Sequence, residues 1–176
     1  MNETIITELR QRVALLEAEN AARRVIAEYM RLCDQLDERV TLDELGELFT
    51  VDAVWQGVGS RYGAAFGGHH GRQAIVAFLD GYRRPPPHFA FNAHFLTSET
   101  ISAEAEDLAA GSWVMLQTST LTTGASTLLA ARLHVRFRFE LGRWRIAYFQ
   151  TTNLFSRACQ DGWDSAAAVA VPTSQT

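Results

Sequence analysis

The chain has 176 residues, 47% of them hydrophobic, which is enough for one domain with a substantial core. A formal net charge of -4 removes any broad electrostatic attraction for nucleic acid or an anionic membrane, so neither is an expected partner. The opening residues MNETIITELRQR are too polar for a signal peptide, no apolar run reaches the ~20 residues of a membrane span, and two cysteines without paired spacing, Cys33 and Cys159, suit a reducing compartment; the expected localisation is cytoplasmic.

In IITELRQRVALLEAEN, the residues Ile6, Leu9, Val13, Leu16 and Asn20 alternate spacings of three and four, the a and d pattern of a short coiled coil with one polar a position. Two readings stay open, a self-association seam and an ordinary amphipathic helix docked on its own domain, because sustained coiled coils run to ~3–4 heptads. The periodicity continues through Val25, Ile26, Tyr29 and Leu36, which predicts one long helix or two consecutive ones over residues 3–36. Thr41, with Glu44 three positions on, is a capping box that opens a short second helix.

VDAVWQGVG alternates like a strand, and the glycines of GVGSRYGAAFGGHHG predict a hairpin or a mobile loop leading to a helix over RQAIVAFLDGY. The prolines of RRPPPH stop that helix. From His88 onward four long strands follow, separated by the breaks AEAED, TTGAS and LGR, as antiparallel hairpins require. In the third, Leu133, Val135, Phe137 and Phe139 alternate with His134, Arg136, Arg138 and Glu140, so one face is apolar and the other wet. The tail after Trp163 is expected to fray.

Helices first and a long antiparallel meander afterwards predict an α+β fold, a cone-shaped barrel in which the leading helices pack on one face of a strongly curved sheet. The expected division is a helical extension over residues 1–20 with a possible oligomerisation role, a barrel domain over 21–158, and a tail over 159–176. A conical cavity between helices and sheet is the natural place for a small molecule.

The order of these elements, with YMRLCD, ELFTVDAVW, HHGRQAIVAFL, NAHFLTS and GRWRIAYFQTTNLF, resembles the SnoaL-like branch of the nuclear transport factor 2-like superfamily over roughly residues 21–155. The resemblance implies a dimeric or trimeric barrel whose pocket opens between helices and sheet. Its catalytic members include bile acid dehydratase, scytalone dehydratase and hexachlorocyclohexane dehydrochlorinase, which use an aspartate and histidine pair facing into the cone. Many other members only bind a ligand or have no known activity.

Carried onto this chain, the resemblance puts the base at His94 in FNAHFLTS; an imidazole, with an unperturbed pKa of ~6.5, accepts a proton near neutrality. The acid that orients it is either Asp34, five residues after Tyr29 as in the bile acid dehydratase pattern, or Asp37, whose distance from DAVW fits the dehydrochlorinase pattern. Helix geometry does not choose: Asp34 is ~140° and Asp37 ~80° around from Tyr29. Asp34 is preferred because LDERVT looks like a lengthened connection. The plain alternative is two exposed acids at a helix end, although acids there oppose the helix dipole.

Tyr29, if it faces the cavity, would donate a hydrogen bond to the carbonyl or leaving oxygen; the open alternative is a core aromatic with its hydroxyl satisfied. Trp55, Phe91, Phe95, Met115 and Phe149 are the expected apolar lining and Asn153 a polar residue at the mouth, so the expected partner is a hydrophobic small molecule. The dehydrochlorinase carries an arginine on the last strand where this chain reads AYFQTT, so dehydrochlorination is not carried over. Arg132, His134 and Arg136 are expected on the solvent or subunit face. His69, His70 and His88 lack carboxylate or histidine companions at ligand spacing, and neither a metal nor a cofactor is expected. The expected activity is a cofactor-independent dehydratase or isomerase of a homo-oligomer; the rival is a non-catalytic binding protein or the small subunit of a ring-hydroxylating dioxygenase.

Overall fold

The computed structural model describes residues 2–160 and residue 163. Helix α1 runs unbroken over Asn2–Asp34, 33 residues or about 50 Å at ~1.5 Å per residue. Its second half buries Ala18, Ala22, Ile26, Tyr29, Met30 and Cys33, a single stripe at helical spacing that packs chiefly on strand β3. Residues 3–13 are exposed on every side, so the first half has no support from the domain.

Helix α2 (Leu42–Glu47) starts with the expected box: Thr41 Oγ1 accepts from the Glu44 amide at 3.1 Å, and Glu44 Oε2 accepts from the Thr41 amide at 2.8 Å. Strand β1 (Phe49–Val58), helix α3 (Gly59–Ala65), strand β2 (Gly68–His70) and helix α4 (Arg72–Arg83) follow. Then come β3 (Phe89–Ala105), β4 (Leu108–Leu121), β5 (Ser126–Glu140) and β6 (Arg143–Cys159). The six strands form one sheet in the order β2-β1-β6-β5-β4-β3, with β1 parallel to β6 and every other pair antiparallel. No described helix is long and apolar enough to cross a membrane.

Leu133, Val135 and Phe137 of β5, with Phe49 and Ile146, are buried, whereas Arg132, His134 and Arg136 are exposed, as alternation requires. Phe139 breaks the expected series: it is 44% exposed, near the end of the strand, with its ring 5.9 Å from that of Trp144. In β3 the register slips between Thr97 and Thr100, and Ser98 has a φ of 51°; this bulge bends the strand and deepens the curvature of the sheet.

The glycine-rich segment differs from the expected mobile loop. It contains α3, and Tyr62 and Phe66, four residues apart, pack at 4.6 Å and turn inward. Gly57 permits this, because a Cβ there would come within 2.7 Å of the Tyr62 carbonyl oxygen and 2.9 Å of its Cβ. The expected fraying tail falls almost wholly outside the described residues; Trp163 donates through its ring to the Thr127 carbonyl at 3.1 Å.

The β5–β6 hairpin turns on Leu141 and Gly142, with φ of 51° and 77°, the double positive φ of a type I′ turn. Leu141 is 86% exposed and pays for a left-handed backbone without burying anything. Leu141→Asn is expected to stabilise the chain by about 1 kcal/mol and to raise Tm by about 2–4 °C. A thermal melt showing an unchanged or lower Tm would refute this account of the turn.

Candidate active site

Helix α1 ends over the free edge of β3, the last strand of the sheet, and this crossing builds the site. An edge strand has amides without a ladder partner. Asp34, the last residue of α1, supplies one: its Oδ1 accepts from the His94 amide at 2.9 Å and meets His94 Nδ1 at 2.6 Å. Beside an ionised carboxylate the neutral ring carries its proton on Nδ1 and its lone pair on Nε2. Nε2 makes no hydrogen bond among the described residues, and the ring stands on the wall of the interior cavity. Asp34 is not on that wall. It lies behind the imidazole.

The same end of α1 is tied down a second time. Asn92 Nδ2 donates to the Cys33 carbonyl at 3.0 Å, and Asn92 Oδ1 accepts from Gln117 Nε2 at 2.7 Å. Asn92 and His94 share a face of β3, and Gln117 is directly opposite His94 on β4. Sequence reasoning missed both amides. The signal was present: residues two apart on a strand point the same way.

The cavity has a volume of about 350 Å³, within the range that encloses a drug-sized ligand. Its walls are mainly apolar. Trp55, Met115 and Phe149 lie on them, as expected, together with Tyr62, Phe66 and Phe78. Trp55 stacks on Phe149 with centroids 5.9 Å apart and planes 4° from parallel, and its Nε1 donates to the Tyr29 hydroxyl at 3.1 Å. Tyr29 also faces the cavity. Burial, reinforced by the neighbouring Cys33 thiol, holds its pKa well above the ordinary phenol value, so the hydroxyl stays neutral.

Four expected site residues are placed elsewhere. Asp37 lies beyond the end of α1 and is paired with Arg39 at 2.5 Å; hydrogen bonds from the Arg39 side chain and amide hold it below the usual carboxylate range. Phe91 is 36% exposed, and with Phe95 at 52% it points away from the cavity, because odd positions in this stretch of β3 oppose His94. Asn153 lies within β6, beside an irregularity in its pairing with β5, and spends its amide on the Phe155 carbonyl at 3.1 Å and on Ser156 Oγ at 3.0 Å, away from the cavity wall. His69 stacks on Phe78 at 4.1 Å, and among the described residues no group of three or more His, Cys, Asp or Glu side chains is arranged to hold a metal ion.

Cys33 is buried beside Tyr29, and burial pushes its thiol up to about 12. At pH 8 a thiol reagent is therefore expected to label Cys159 quickly and Cys33 only after unfolding. Two fast thiols per chain would contradict this packing. Because the folded pKa is raised, the stabilisation from keeping Cys33 neutral is complete below the unfolded value of ~8.5 and is lost as pH rises towards 12.

The SnoaL-like domain family matches residues 14–150, more than three quarters of the chain. The chain belongs to the SnoaL-like family. Its place in the nuclear transport factor 2-like superfamily follows, and solved structures share this cone. The SnoaL-like chain superposes on a candidate aromatic ring hydroxylase from Novosphingobium aromaticivorans with a TM-score of 0.68 at 18% identity, covering 82% of this chain and 94% of that one. A hexachlorocyclohexane dehydrochlorinase from Novosphingobium barchaimii gives 0.65 at 17% identity, covering 90% and 97%. A candidate scytalone dehydratase from Novosphingobium aromaticivorans gives 0.63 at 19% identity, covering 94% and 99%. At these identities the likeness is one of fold. No curated protein matches the chain in sequence.

Proposed function

We propose that this SnoaL-like protein is a cofactor-independent lyase or isomerase acting on a hydrophobic cyclic molecule such as a steroid, terpenoid or polyketide. The observation that carries the reading is the 2.6 Å Asp34–His94 contact, with the ring on the wall of an aromatic cavity and its second nitrogen unpartnered among the described residues. In the proposed reaction His94 Nε2 takes a proton from carbon beside a carbonyl, and Asp34 stays ionised and stabilises the imidazolium. For dehydration, the electron pair released forms the carbon–carbon double bond as the hydroxyl departs with the proton His94 holds, giving water. For isomerisation, the same proton returns at a different carbon.

Tyr29 is given the role of donor to the carbonyl oxygen as negative charge develops there. Its neutrality supports that role, since a phenolate has no proton to donate. Met115, Phe149 and Trp55 are proposed to hold the ring system. The fold likeness to a scytalone dehydratase candidate and a dehydrochlorinase agrees with lyase chemistry in general terms. The rival reading, a ligand-holding protein or an oxygenase small subunit, gives no reason for a carboxylate behind a cavity-facing imidazole.

The test is turnover of a panel of cyclic β-hydroxyketones and β,γ-enones by wild type, His94→Ala and Asp34→Asn, followed by the appearance of the ultraviolet band of the conjugated enone product. Conversion by wild type that both variants lose supports the assignment. Equal conversion by all three proteins, or tight binding of the panel without conversion by any of them, turns the reading towards the ligand-holding alternative.

A further inference from the structure

Helix α1 carries two apolar stripes, and only one of them is covered. The stripe through Ala18, Ala22, Ile26 and Tyr29 packs on the domain. The second, Ile6, Leu9, Val13, Leu16 and Asn20, lies on the roughly opposite side of the helix at ~100° per residue. Its four apolar members are 46%, 52%, 51% and 58% exposed. The stripes overlap along residues 18–20, where Ala18 is buried on the domain while Asn20 stays exposed, so the apolar members of the second stripe are left uncovered by their own barrel.

We propose that this outward stripe is the seam of a parallel two-stranded coiled coil with a second copy of the chain. Two features of the sequence choose that occupant. The a positions read Ile6, Val13 and Asn20 and the d positions Leu9 and Leu16; β-branched residues at a with leucine at d favour two parallel strands, and one a-position asparagine fixes register by meeting its own copy. The flanking charges agree. In parallel register Arg12 at g faces Glu17 at e of the other copy, and Glu19 faces Arg24, two attractive pairs each made twice. The antiparallel register that keeps all four apolar residues in the seam puts Arg10 against Arg10 and Arg12 against Arg12 instead. Beyond Asn20 the same face carries Arg24, Ala27 and Arg31, so the seam ends there. The domain-packed stripes face away from the seam, which leaves room for two barrels on the outer sides of the pair.

Two heptads are short, but the helix is already anchored through its second half, which reduces the ordering that pairing must impose. The experiment is sedimentation of the full chain beside Leu9→Glu/Leu16→Glu, two changes in solvent-exposed side chains that leave the thermal midpoint of the barrel in place. A twofold fall in mass, from dimer to monomer, is expected. Arg12→Glu and Glu17→Arg are each expected to weaken pairing about three- to tenfold, and the double swap to restore it. In a Cys159→Ser background, Val13→Cys should cross-link to itself on mild oxidation. Equal masses for wild type and Leu9→Glu/Leu16→Glu overturn the seam. A twofold fall without the Val13→Cys cross-link or the charge-swap rescue overturns the parallel pairing.

Discussion

His94→Ala is expected to lower kcat on any substrate that wild type converts by about 10²–10⁴-fold, the contribution of the proposed general base. Asp34→Asn is expected to cost up to about 10⁴-fold, because a neutral amide would neither fix the ring proton on Nδ1 nor stabilise the imidazolium. Asparagine is the informative replacement: it keeps an oxygen for the His94 amide, which donates to Asp34 at 2.9 Å, and so spares the link between α1 and β3. Turnover of wild type, His94→Ala and Asp34→Asn on the same substrate checks both expectations, and an unchanged kcat in Asp34→Asn would mean that Asp34 does not act through His94.

Trp55→Ala is expected to destabilise the fold by about 3–5 kcal/mol, the cost of deleting a large buried aromatic. Tm falls accordingly by roughly 10 °C. The indole is 7% exposed and touches four other rings, with centroids at 5.9 Å to Phe149, 5.9 Å to His69, 5.7 Å to Phe66 and 5.1 Å to Phe78. Its removal also leaves the buried Tyr29 hydroxyl without the Nε1 donor at 3.1 Å. One residue is thus both core and cavity wall. Denaturant unfolding of Trp55→Ala beside Trp55→Phe measures the split: phenylalanine recovers most of the packing but not the hydrogen bond. A loss below about 1 kcal/mol for alanine would show that these rings are not packed as described.

The choice between Asp34 and Asp37 shows where reading a sequence stops. Angles around a helix compare two residues only if both are helical, and α1 ends at Asp34. Asp37 follows a turn in which its amide donates to the Gln35 carbonyl at 2.8 Å, and Arg39 takes its carboxylate. Nothing in the string RLCDQLDERV marks that boundary, since no glycine or proline stops the helix. The Phe91 expectation failed for the opposite reason. Period-two alternation already put it on the face away from His94, so the misplacement lay in the reading and not in a lack of signal. Asn92 and Gln117 were recoverable in part: alternation gives Asn92, but Gln117 needs the β3–β4 register.

By itself the sequence determined whatever depends on residues close along the chain: the Thr41 capping box, the alternating face of Leu133 to Phe137, the helix stop at the prolines and the heptad of α1. These follow from spacing, because backbone geometry fixes which near neighbours share a face. The tertiary structure decided which carboxylate meets the imidazole 60 residues away, that Trp55 bridges Tyr29 and Phe149, and that the heptad stripe looks away from its own barrel. Those contacts depend on where a long helix crosses the edge of a curved sheet, and that crossing is set by packing of the whole core and not by any local pattern.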